Sequence, residues 1–122
     1  MSDPFSGHAL LVEDNLIIAL DVTDILENAG ASKVHLAANC DEALSVLEQN
    51  PVAYAVIDML LENQTSQPVA LALKARGIPF IYASGIQLSA EQAIGFPEAT
   101  CVDKPFSPDM LLSALKGSII AM

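Results

Sequence analysis

The chain has 122 residues, 52% of them hydrophobic, and sets 15 acidic side chains against five basic ones for a formal charge of −10. That length predicts a single domain, 1–122 with its core over about 8–121, large enough to bury a core of its own. The charge repels a phosphate backbone, no apolar run approaches a membrane span, and the opening MSDPFSG lacks the marks of a signal peptide; a cytoplasmic protein with neither nucleic-acid nor membrane partner is expected.

Hydrophobic period and punctuation alternate strand with helix along the chain. His8 to Val12 reads as the first strand. From Asn15 to Ala29, Ile18, Val22, Ile25, Leu26 and Ala29 share one side of a 3.6-residue helix and Asp21, Asp24 and Glu27 the other, with Gly30 as C-cap. Lys33 to Ala37 is a short second strand. Asn39 caps a helix reaching Gln49, with Glu42 three residues on and Leu44, Val46 and Leu47 available to the core. Val52 to Ile57 is the most hydrophobic strand and is predicted to be central. The polar stretch Glu62 to Gln67 reads as a loop before a helix that has Pro68 in its first turn, runs through Ala75 and closes at Gly77. Phe80 to Ala83 is the fourth strand. A weak helical pattern over Ser89 to Ile94, stopped by Gly95 and Pro97, predicts the shortest helix, and Thr100 to Val102 the fifth strand. Ser107-Pro108 opens a last helix that buries Leu111, Leu112, Leu115 and Ile119. Cys40 and Cys101 are expected as reduced, partly buried thiols, His8 and His35 as strand residues, and the methionines and Phe106 as packing.

Five βα units whose strands are too apolar for a half-exposed sheet place the chain in the α/β class. The expected architecture is a doubly wound (βα)5 three-layer sandwich, flavodoxin-like, with a parallel five-stranded sheet of order 2-1-3-4-5. Ligands of such sheets bind at the carboxyl ends of strands 1 and 3, here Glu13-Asp14 and Asp58. Strands 4 and 5 end on Ser84 and Lys104. A polar group ending a buried strand is costly unless it lines a site.

Two ionised carboxylates about 4 Å apart repel by roughly 4 kcal/mol at an effective dielectric near 20. A domain is stable by only about 5 to 15 kcal/mol, so a compensating cation is expected. Three hard oxygen donors, with no His or Cys nearby in sequence, suit Mg²⁺ or Mn²⁺. Lys104 adds a second positive charge and Ser84 a hydroxyl donor, which together make a receptor for a phosphoryl group. Asp58 stands at its centre, and a carboxylate there can act as nucleophile to give an aspartyl phosphate.

LLVEDN, the aspartate closing VIDM, the hydroxyl residue in YASG and the DKPF segment, four pieces in the right order on the right elements, resemble the receiver domain of two-component response regulators across essentially the whole chain. The resemblance implies that Asp58 accepts phosphate from a sensor histidine kinase or a histidine phosphotransfer protein. It implies that Glu13, Asp14, Asp58 and the backbone carbonyl of Leu60 hold Mg²⁺, that Ser84 and Lys104 bind the phosphoryl oxygens, and that Lys104-Pro105 is a candidate cis bond. The chain departs from the common pattern in two places. Met59-Leu60-Leu61-Glu62-Asn63 replaces the methionine-proline and later glycine that follow the acceptor aspartate, and Cys101 replaces the aromatic residue three before the lysine, leaving Tyr82 as the nearest aromatic. GIPFIYASG is similar to a stand-alone alphaproteobacterial subgroup whose motif reads Phe-Ala-Thr-Gly-Tyr, with Ile86 in place of the final Tyr.

The expected function is a single-domain response regulator in a phosphorelay, a phosphoacceptor rather than an enzyme in the ordinary sense. It is expected to be a monomer or weak dimer that signals by protein contact or phosphate shuttling to an unidentified downstream protein. By family analogy the switching face lies around the fourth helix, fifth strand and fifth helix. Leu60 and Ile86 are apolar and cannot orient an attacking water, which predicts a long-lived phosphorylated form. Each site residue also has a plainer reading: Glu13-Asp14 as acids favoured by a helix dipole, Ser84 as turn chemistry, Lys104 as a solvated lysine. Together those readings need four coincidences at one sheet edge. A haloacid-dehalogenase-type hydrolase would want an acid where Leu60 stands, and a flavodoxin-type nucleotide binder would not place Glu13-Asp14-Asn15 in its phosphate loop. A pseudo-receiver that binds proteins without being phosphorylated is the remaining alternative.

Overall fold

The computed structural model describes residues 4–85 and 93–121. In chain order they form β1 (His8–Val12), α1 (Leu16–Ala29), β2 (Lys33–Ala37), α2 (Cys40–Gln49), β3 (Val52–Ile57), β4 (Leu60–Leu61), β5 (Gln64–Thr65), α3 (Gln67–Ala75), β6 (Phe80–Ser84), β7 (Cys101–Asp103) and α4 (Pro108–Ile120). Five strands make one parallel sheet in the order β2-β1-β3-β6-β7, and β4 pairs with β5 in a separate antiparallel hairpin. With the hairpin left out of the count this is the expected order 2-1-3-4-5, and β3 is central.

Alternation along the strands decides which layer each helix joins. Leu10, Val12, Ala55, Ile57 and Tyr82 face α2 and α3, where Ala43, Leu47, Val69 and Leu73 meet them. Ala9, Leu11, Val56, Ile81 and Val102 face α1 and α4, where Val22, Leu26, Leu111 and Leu115 complete the second core. Two apolar faces on one sheet require helices on both sides, which gives the three layers.

The helix ends follow from capping chemistry. Asn15 Oδ1 accepts from the Ile17 and Ile18 N–H groups at the start of α1, and Asn39 Oδ1 accepts from Glu42 N–H at the start of α2. Glu42 answers by accepting from Ala38 N–H at 2.8 Å. Gly30 takes φ 124° at the end of α1, a conformation that a side chain would strain.

Three expectations need correction. The stretch Glu62 to Gln67 is not a plain loop: β4 and β5 fold back across Glu62-Asn63, with Asn63 at φ 65°. Two-residue strands are too short to leave an alternation that periodicity can detect. Cys101 is exposed rather than partly buried, because β7 is an edge strand, whereas Cys40 is buried. Met110 is exposed on α4 and packs little. The helix expected over Ser89 to Ile94 lies, up to residue 92, outside the described residues, and Ala93 to Gly95 form a turn. Among the described residues no helix is long and apolar enough to cross a membrane.

Candidate functional site

Parallel strands all deliver their carboxyl ends to one edge of the sheet, so residues distant in sequence meet there. Glu13 and Asp14 leave β1, Asp58 leaves β3, Ser84 closes β6 and Lys104 follows β7. The backbone locks this edge: Asp58 N–H donates to the Val12 carbonyl at 2.9 Å and Lys104 N–H to the Ser84 carbonyl at 2.9 Å.

One carboxylate oxygen from each of Glu13, Asp14 and Asp58 lies within 4.8 Å of the others. Glu13 and Asp58 are buried, at 4% and 8% exposure, while Asp14 is exposed. The Lys104 ammonium answers the two buried ones, donating to Glu13 Oε1 at 2.5 Å and to Asp58 Oδ2 at 2.9 Å. Three of the other carboxylate oxygens meet main-chain donors. Asn15 N–H reaches Glu13 Oε2 at 3.2 Å, Leu60 N–H reaches Asp58 Oδ1 at 3.2 Å, and Glu62 N–H reaches Asp14 Oδ2 at 2.6 Å.

These contacts set the charges. Burial pushes the Glu13 carboxyl above its usual range, outweighing the opposing hydrogen bonds from Lys104 and Asn15. Burial alone would pull the Lys104 pKa down, but its hydrogen bonds to Glu13 and Asp58 and their charges hold it above the ordinary value, so the ammonium keeps its proton. The donor set is all carboxylate, with no imidazole or thiolate in the cluster, which fits a hard divalent cation such as Mg²⁺ and not a soft metal.

The structure therefore brings Glu13, Asp14, Asp58 and Lys104 together in direct contact or within bonding range of a shared ion. Ser84, 4% exposed, ends the strand beside Lys104. Leu60 joins the site through its N–H group. The Lys104-Pro105 peptide bond is cis. Sequence reasoning missed the Asn15 and Glu62 N–H groups, since a main-chain donor has no side-chain signature. The one available signal was Asn63, a residue that tolerates positive φ in a tight turn.

No family model matches the chain. Among curated proteins it is 28% identical over 124 residues to the response regulator Rre1 of Synechocystis sp., covering 96% of this chain and 52% of that protein. It is 29% identical over 114 residues to two-component system protein A of Emericella nidulans, covering 88% of this chain and 17% of that protein. The chain thus spans about half the length of the first relative and a smaller part of the second. Among solved structures, SdrG from Sphingomonas melonis Fr1 superposes with a TM-score of 0.76 at 29% identity, over 98% of this chain and 99% of that one. The receiver domain of a sensor histidine kinase from Pseudomonas aeruginosa PAO1, which carries a magnesium ion in its active-site cleft, shares the fold with a TM-score of 0.79 at 22% identity, over 92% and 96% of the two chains. With three acids and a lysine at the carboxyl edge of a sheet of this order, and with these relatives, the chain is a receiver domain of the response-regulator kind, a signalling module of two-component systems.

Proposed function

We propose that this receiver domain is a Mg²⁺-dependent phosphoacceptor that takes a phosphoryl group onto Asp58 from the phosphohistidine of a sensor kinase or phosphotransfer protein. The observation that carries the reading is the buried Asp58 carboxylate held between the Lys104 ammonium and two further acids. An Asp58 oxygen attacks phosphorus, a P–O bond forms as the P–N bond breaks, and the leaving imidazole nitrogen keeps the electron pair and is protonated. Glu13, Asp14, Asp58 and the Leu60 carbonyl would hold the ion. When bound, it supplies positive charge against the phosphoryl oxygens.

Lys104 already pairs with the Glu13 and Asp58 carboxylates and is placed to move its donors to the incoming group, with the Ser84 hydroxyl as a further donor. Beside the site, Leu16, Ile17 and Leu20 on α1 are exposed, at 63%, 81% and 59%, which suits a donor presented on an apolar protein surface. We further propose a single-domain, cytoplasmic regulator of the stand-alone subgroup, working by protein contact or phosphate shuttling.

The test is mass spectrometry after incubation with Mg²⁺ and a small acyl-phosphate donor. The expected result is one phosphoryl adduct on the wild type and none on Asp58→Asn. No adduct, or one that persists in the variant, favours a protein-binding module that is not phosphorylated.

A further inference from the structure

The segment after Asp58 is tied down on both sides. β4 and β5 pair Leu60 with Thr65 and Leu61 with Gln64 around a two-residue turn, with Asn63 supplying the positive φ at the second position. From the inner side the hairpin sends two N–H groups into the site, Leu60 to Asp58 and Glu62 to Asp14. From the outer side it is fastened to α2. Gln64 Oε1 accepts from Cys40 N–H at 2.8 Å, and Cys40 Sγ donates to the Thr65 carbonyl at 3.3 Å. Ser66, with no exposed surface, closes the base by donating its N–H to the Met59 carbonyl at 3.0 Å.

Two needs are met by one side chain. The first turn of α2 has N–H groups with no partner inside the helix; Asn39 takes that of Glu42, and Gln64 takes that of Cys40. Asp14 is exposed, and the Glu62 N–H holds one of its carboxylate oxygens at 2.6 Å. A ligand already held in place loses less freedom when an ion arrives, and partners of ligating carboxylates tune affinity accordingly.

We propose that Gln64 is a positioning residue: by docking the β4–β5 hairpin on the N-terminus of α2 it keeps the Glu62 N–H on Asp14, and so sets the affinity of the carboxylate cluster for a divalent cation. The inference rests on reading Glu13, Asp14 and Asp58 as a metal site. It concerns residues that the site chemistry alone does not use.

Calorimetric titration of Mg²⁺ into the apo protein, with the apo melting temperature recorded beside it, tests the proposal. Glu62→Pro deletes the N–H at a turn position that favours proline, whereas Glu62→Ala removes the same carboxylate and keeps the N–H. The proline variant should bind Mg²⁺ about tenfold more weakly than the alanine variant. Gln64→Leu should weaken binding by about fivefold, and Gln64→Glu, which keeps an acceptor at a helix N-terminus, should restore it to within about twofold of wild type. A general loss of structure would lower the melting temperature without that rescue. Wild-type protein that binds no Mg²⁺ overturns the metal-site reading itself. Wild-type binding with equal affinities for Glu62→Pro and Glu62→Ala, or for Gln64→Leu and wild type, overturns the positioning role alone. Should Gln64→Leu fail to fold, the Glu62 pair still decides.

Discussion

Lys104 and Asp58, 46 residues apart in the chain, meet at 2.9 Å, and the same ammonium closes on Glu13 at 2.5 Å. One cation thus holds two buried acids that would otherwise repel each other at the edge of the sheet.

Removing it leaves both acids uncompensated. Lys104→Met should lower the unfolding free energy by about 2 to 4 kcal/mol, because breaking a buried pair strands a charge. Millimolar Mg²⁺ should recover part of that loss, since an ion that binds only the folded chain stabilises it. Urea unfolding with and without Mg²⁺ measures both effects. Equal midpoints for wild type and variant would mean that the ion pair contributes nothing.

Asp14 offers the opposite exchange. It is exposed and carries the third charge of the cluster, so Asp14→Asn relieves repulsion while weakening the site. Apo stability should rise by about 0.5 kcal/mol, the scale of an exposed charge interaction, while Mg²⁺ affinity falls. A variant that loses stability and keeps its affinity would show that Asp14 is structural.

The same residues show what a reader of the sequence can and cannot recover. β1 and β3 are found at their expected bounds because buried parallel strands are largely apolar runs between polar ends, and β2, an edge strand carrying Lys33 and His35, is found at its bounds as well. The caps Asn15, Asn39 and Ser107 declare their helices for the same local reason. Given the doubly wound order, the meeting of Glu13, Asp14 and Asp58 follows from topology alone. The β4–β5 hairpin did not follow, since its pairing spans four residues and its anchors are a glutamine amide and main-chain N–H groups. The expected order already puts the fifth strand at the edge, but the burial of each side chain on a three-residue strand depends on neighbours that local pattern does not name.

At the far end of β1 and β2, His8 Nδ1 lies 3.0 Å from His35 Nε2, so one ring must be neutral to accept the hydrogen bond. Burial, with the charges of His8 and Lys33 adding, lowers the His35 pKa from 6.5. The unfolded chain therefore binds this proton more readily than the folded one. The associated stability is complete above pH 6.5 and is lost as pH falls below it. The melting temperature should drop between about pH 7 and pH 5, and His35→Gln should flatten that part of the curve. Superimposable profiles would remove His35 from the account.

Tyr82 is two residues before Ser84 on β6, and Cys101 stands where an aromatic residue is usual. Its hydroxyl donates to the Pro97 carbonyl at 2.6 Å, and Phe80 and Phe96 meet its ring edge-on at 5.5 and 5.9 Å. Burial, aided by the charge of Cys101, pushes the phenol from 10.0 up to about 12. The folded state holds this proton more tightly than the unfolded state, so the linked stability is intact below pH 10 and is lost as pH climbs toward 12. In a Tyr54→Phe background, where Tyr82 is the remaining tyrosine, tyrosinate absorbance should appear only above about pH 11. Tyr82→Phe should cost about 1 kcal/mol, the net worth of one hydrogen bond, because it leaves the Pro97 carbonyl without its donor. Ionisation near pH 10 with the fold intact would show that the hydroxyl is not held against the Pro97 carbonyl.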